Sequence, residues 1–109
     1  MIEVHVFWDE HSIFGFSVLG HSDYSSRGSD IVCSAVSALS QTALLALNEV
    51  AGITPIYTKK DGLLECRVPQ DIVQKTLLTC QVIFKTILLG IENIAEQYPD
   101  FVEIYNEEV

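Results

Sequence analysis

A chain of 109 residues, 49% of them hydrophobic, is long enough to bury one core without a disulfide framework and too short for two domains of ordinary size, so residues 1–109 are read as a single domain. Six Lys and Arg against fifteen Asp and Glu give a net charge of −9, which repels phosphate backbones and argues against a nucleic-acid partner. The same charge suits a basic polypeptide, although acidic surfaces also serve solubility alone.

Residues 2–8 (IEVHVFW) alternate as a strand, with Ile2, Val4, Val6 and Trp8 on one face. Asp9 to Ser12 reads as a turn. Residues 13–21 resume as a second strand, with Phe14, Phe16 and Val18 on one side and Ile13, Ser17, Leu19 and His21 on the other. The two strands form a hairpin with His21 at its exit. Ser22, Asp23, Tyr24, Ser25, Ser26, Arg27, Gly28 and Ser29 lack any apolar period and are expected to form a loop able to act as a lid.

From Ile31 to Val50 the pattern is helical, with Ser34, Ser37, Gln41 and Asn48 marking a narrow polar stripe on an otherwise apolar cylinder. Ser29 or Asp30 is the expected N-cap and Gly52 the C-terminal stop. Residues 55–60 and 63–68 flank Asp61-Gly62, a strong two-residue hairpin signal. A second helix is expected from Pro69-Gln70-Asp71 to about Tyr98, with Ile72, Val73, Leu77, Ile83, Phe84, Ile87, Ile91, Ile94 and Ala95 facing inward and Gln74, Lys75, Gln81, Lys85, Glu92 and Glu96 opposite. Residues 101–105 add a last strand, and the terminal Asn-Glu-Glu-Val is solvated. The order ββαββαβ predicts an α+β, two-layer fold: a mainly antiparallel sheet with two helices on one face. Its apolar runs, broken by Lys85 and Thr86, read as too short to cross a bilayer, so no membrane partner is expected.

Cys33 falls in the first helical turn whichever cap is used. The partial positive charge of a helix N-terminus favours thiolate over thiol, and unpaired first-turn N–H groups can receive an oxyanion. His21, folding back from the strand exit, supplies a base, so nucleophile, base and oxyanion donors for acyl transfer are locally available. Asp30 either caps the helix or orients His21. Ser37, one turn after Cys33, either donates toward the sulfur or substrate or bonds the carbonyl four residues back. The plainer alternative makes Cys33 a small core residue and His21 an accident of the strand end.

Cys66 and Cys80 sit among apolar positions and read as packing residues. Three cysteines with no CxxC spacing indicate free thiols in a reducing compartment, and the N-terminus lacks the basic start and apolar stretch of a secretory signal, so a cytoplasmic location is expected. His5, His11 and His21 share no metal-ligand spacing, and no dinucleotide or phosphate-loop pattern is present; no metal and no cofactor are expected.

The stretch from Gly20 to Leu39, GHSDYSSRGSDIVCSAVSAL, resembles the signature of the ribosomal-processing cysteine protease family, Prp: a Gly-His pair, a glycine-containing loop and an Asp-Ile-Val-Cys helix start. Ser22 and Ser34 depart from that pattern without removing a catalytic group. The resemblance implies Cys33 as nucleophile, His21 as general base, Asp30 and Ser37 as supporting residues, and Ser22 to Ser29 as a loop that orders over bound peptide. It also implies a substrate, the N-terminal extension of large-subunit ribosomal protein number twenty-seven. A non-enzymatic module holding a basic ribosomal tail, or a redox-sensing thiol protein, are the competing readings, and the apolar helices make a homodimer a further expectation.

Overall fold

A computed structural model describes residues 1–20 and 27–109, with the backbone alone for residues 27–30. Seven elements follow one another: β1 (Ile2–Asp9), β2 (Ser12–Leu19), α1 (Arg27–Glu49), β3 (Ile56–Lys60), β4 (Leu63–Arg67), α2 (Gln74–Gln97) and β5 (Val102–Glu108). The strands make one sheet in the order β3-β4-β2-β1-β5. Every neighbouring pair is antiparallel except β1 with β5, which is parallel. The expected two-layer α+β architecture and element order are therefore present.

Alternation decides which face of the sheet carries the helices. Ile2, Val4 and Val6 of β1, Phe16 of β2, Leu64 and Cys66 of β4 and Val102 of β5 are buried together with Val32, Val36, Ala43 and Leu47 of α1 and Cys80, Ile83, Phe84, Leu88 and Ile91 of α2. Phe16 and Phe84 meet edge to face, ring centroids 6.1 Å apart. The helices approach closely at Gly90, where a Cβ would lie 3.0 Å from the Leu39 side chain. By length and composition both helices could cross a membrane, contrary to the sequence expectation. Here their inner faces cover the sheet.

Two sequence assignments fail at one place. The β1–β2 register shifts between Phe7 and Trp8, so that Trp8 opposes Ile13 while Phe7 opposes Gly15. Phe14 is the extra residue, and the bulge reverses the alternation on its far side. Ile13, expected opposite Phe16, turns into the core at 1% exposure, and the Phe14 ring instead lies 6.0 Å from that of Phe7. Gln81, expected on the polar face of α2, is buried against this spot. Its Oε1 accepts from the Ile13 N–H (2.7 Å) and its Nε2 donates to the Ile13 carbonyl (2.6 Å). The β2–β4 ladder starts only at Gly15, so a side-chain amide completes the pairing that β4 does not reach.

The ends of the elements differ too. Helix α1 begins at Arg27, so neither Ser29 nor Asp30 is its cap, and Arg27, Gly28 and Ser29 belong to the helix rather than to a loop. Helix α2 begins at Gln74, after Val73 in an extended conformation. Strand β5 continues through the acidic tail to Glu108.

Candidate active site

Cys33 lies on the face of α1 that also carries Ser34, Ser37 and Gln41, the polar stripe seen in the sequence. Steps of three or four residues keep these side chains in one row. Opposite that row stands the β3–β4 hairpin. Between them is a cleft of about 540 Å³, lined on one side by Cys33, Ser34, Ser37 and Gln41 and on the other by Lys59, Lys60, Asp61, Gly62 and Leu63. Ile2, Val18, Val36 and Leu64 form its apolar floor. Among the described residues, the charged ones lining it are Lys59, Lys60 and Asp61.

The mouth of the cleft is held by two glycines. Gly20 has φ +93°, and a Cβ there would lie 2.6 Å from the Met1 carbonyl oxygen, so a side chain is excluded by both conformation and space. Its N–H donates to the Gly62 carbonyl (2.8 Å). Gly62, at φ +75°, supplies the positive-φ position that the tight turn between β3 and β4 needs. The chain therefore leaves β2 for His21 from a point fixed by the hairpin turn and by the first residue of the chain.

One hydrogen bond crosses the cleft and a second continues it along α1. The Lys59 ammonium donates to Gln41 Oε1 (2.8 Å), and Gln41 Nε2 donates to Ser37 Oγ (2.8 Å). Lys59 can do this because its register partner on β4 is Leu64, a core residue, which puts Lys59 on the helix-covered side of the sheet. Sequence reasoning found Gln41 only as part of a polar stripe. It missed Lys59 to Gly62 as site residues, because nothing in the chain says which surface the hairpin will face.

The cysteines fall into two classes. Cys33 is half-buried and reaches the cleft. Cys66 and Cys80 are both at 0% exposure. Burial pushes the Cys66 thiol up to about 12 and raises that of Cys80 as well. All three are free thiols. The expected packing role of Cys66 and Cys80 fits these surroundings.

Of the sequence-predicted site residues, Cys33 and Ser37 share the cleft. His21 and Ser22 to Ser26 lie outside the described residues. Asp30 stands inside α1, three residues before Cys33, so its capping role is corrected. So is the first-turn position of Cys33: it is the seventh residue of α1, about 9 Å along the axis from Arg27 at 1.5 Å per residue. The unpaired N–H groups of the helix start thus belong to residues 27–30, not to the turn that carries the sulfur. Among the described residues no three His, Cys, Asp or Glu side chains converge as metal ligands.

The family model described as cysteine protease Prp matches residues 1–103. The ribosomal processing cysteine protease Prp of Bacillus subtilis (strain 168) is 24% identical over 93 residues, which cover 84% of this chain and 83% of that protein. Among solved structures, SMU.848 from Streptococcus mutans superposes with a TM-score of 0.85 at 31% identity, covering 100% of this chain and 96% of the other. The ribosomal processing protease Prp from S. aureus, solved in complex with a substrate peptide, superposes with a TM-score of 0.84 at 24% identity, covering 98% of this chain and all of that one.

Proposed function

Because the chain belongs to the cysteine protease Prp family, we propose that Cys33 is the nucleophile that cleaves the N-terminal extension of large-subunit ribosomal protein number twenty-seven. His21 takes the Cys33 proton, the sulfur attacks the scissile carbonyl, the amine fragment leaves with a proton from the imidazolium, and water releases the acyl group to regenerate the thiol. Asp30 orients His21. Ser22 to Ser29 close over the bound peptide, although the last of these residues already lie in helix α1.

The observation that carries this reading is the placement of the cysteines: of three free thiols, the one within the family-like stretch is the one that lines a cleft, and the other two are buried. The relative from B. subtilis is named for ribosomal processing and the S. aureus structure holds a substrate peptide, which supports a ribosomal peptide as substrate. The reading includes a cytoplasmic location, consistent with three unpaired thiols. It also includes a homodimer, for which Leu78, Val82 and Leu89 stand exposed at spacings of four and seven on α2; sedimentation reads the oligomeric state.

The test is mass spectrometry of the organism's own full-length ribosomal protein number twenty-seven after incubation with wild type or with Cys33→Ala. One N-terminal truncation, with wild type only, is the expected result. An intact substrate in both samples, with folded protein confirmed, overturns the assignment and favours the module that binds without turnover.

A further inference from the structure

Helix α1 carries three hydroxyl groups with described hydrogen bonds, and they behave differently. Ser40 Oγ and Thr42 Oγ1 each donate to the carbonyl four residues back, at 2.7 Å. That is the ordinary use of a hydroxyl on a helix. The described bond of Ser37 runs the other way: its Oγ accepts from Gln41 Nε2, and the Gln41 amide is in turn oriented by the Lys59 ammonium on its Oε1. An amide fixed at its oxygen by a cation presents its N–H in one direction only. A hydroxyl that accepts from Gln41, one turn toward the helix C-terminus, keeps its own hydrogen off that donor and free to be given to another acceptor.

We propose that Lys59 and Gln41 are positioning residues that aim the Ser37 hydroxyl at the carbonyl oxygen of a peptide held at Cys33. The inference rests on the peptidase reading above and deepens it. The oxyanion formed when sulfur attacks a carbonyl needs a donor nearby, and the unpaired N–H groups of α1 lie before the turn that bears the sulfur. Ser37, four residues after Cys33 on the same face of the helix, lines the same cleft and is the hydroxyl that the relay orients there. The β3–β4 hairpin becomes part of the catalytic machinery, because a lysine on an edge strand sets the direction of a hydroxyl on the facing helix.

The experiment measures kcat and KM on a fluorophore–quencher peptide spanning the junction of the extension of ribosomal protein number twenty-seven. Wild type is compared with Ser37→Ala, Gln41→Leu, Lys59→Met, Lys59→Arg and the double variant Ser37→Ala/Gln41→Leu, with Cys33→Ala as the blank. Losing an oxyanion donor lowers kcat about a hundredfold with KM nearly unchanged, and this is expected for Ser37→Ala. Gln41→Leu lowers kcat about tenfold and Lys59→Met about threefold, with Lys59→Arg restoring most of the loss. The double variant is no slower than Ser37→Ala alone, because the relay has nothing left to aim. If Gln41→Leu multiplies the defect of Ser37→Ala, or if it and Lys59→Met change KM alone, the relay is refuted while the peptidase stands. A wild type no faster than Cys33→Ala overturns both.

Discussion

Two glutamines on facing helices draw the contrast between the two ends of this molecule. Gln81, in the core beneath α2, closes both halves of its amide on one residue, Ile13, and is shut away from water. Gln41, at the cleft, takes a hydrogen bond from strand β3 and passes one along its own helix, so its orientation depends on Lys59 and in turn bears on Ser37. The thiols repeat the pattern, with Cys66 and Cys80 enclosed in the core and Cys33 open to the cleft. The same side-chain chemistry is structural where every polar atom is matched internally, and available for reaction where one group is left facing a space.

The thiols give the largest effect with which to break this contrast. Relative to an ordinary thiol at 9.0, one held at about 12 has about a thousandth as much thiolate at neutral pH, before its burial is counted. Iodoacetamide with the folded protein is therefore expected to label Cys33 and to leave Cys66 and Cys80 unmodified until the protein is unfolded, as read by peptide mass spectrometry. Early modification of Cys66 contradicts the enclosed core.

The same thiol has a consequence for stability. Its folded value lies above its unfolded one, so the stability it contributes is complete below pH 9.0 and is lost as the pH rises toward about 12, where ionised Cys66 is favoured only in the unfolded chain. At 1.36 kcal/mol per unit the full loss is about 4 kcal/mol. Urea midpoints at pH 8 and pH 11 measure it, and Cys66→Ala should show a shallower decline between those two pH values.

For the glutamines, Gln81→Leu leaves the Ile13 N–H and carbonyl buried without partners and is expected to cost about 2–4 kcal/mol. Gln41→Leu, at the half-open cleft, should stay within about 0.5 kcal/mol while lowering turnover. Equal losses of stability in the two variants would erase the distinction. The last test is Gly20→Ala at the mouth of the cleft. Forcing a positive φ and a contact with the Met1 carbonyl is expected to cost about 1–3 kcal/mol, with a fall in kcat through displacement of the chain leading to His21. A variant that keeps wild-type stability and rate removes the anchoring role of Gly20.

Much of the frame was legible in the chain because it depends on local pattern. The alternation of residues 2–8, the Asp61-Gly62 turn and the polar stripe Ser34, Ser37 and Gln41 are each fixed by residues within a few positions of one another. The reversed face at Ile13 was not legible, since a bulge is a property of two paired strands. The buried position of Gln81 was hidden for the same reason: a glutamine in a helix reads as solvent-facing until a strand is found to end short of its neighbour. Helix α1 starts earlier than its capping residues suggested, which moved Cys33 from the first turn into the second.

The sequence by itself determined the elements and the candidate nucleophile, because hydrophobic period, turn chemistry and a short motif act over neighbouring residues. Only the tertiary structure decided that the β3–β4 hairpin faces Cys33, that Lys59 reaches Gln41, and that Cys66 and Cys80 are sealed. Those facts arise from packing between segments distant in the chain, where register, burial and a shared cleft are set by the whole sheet at once.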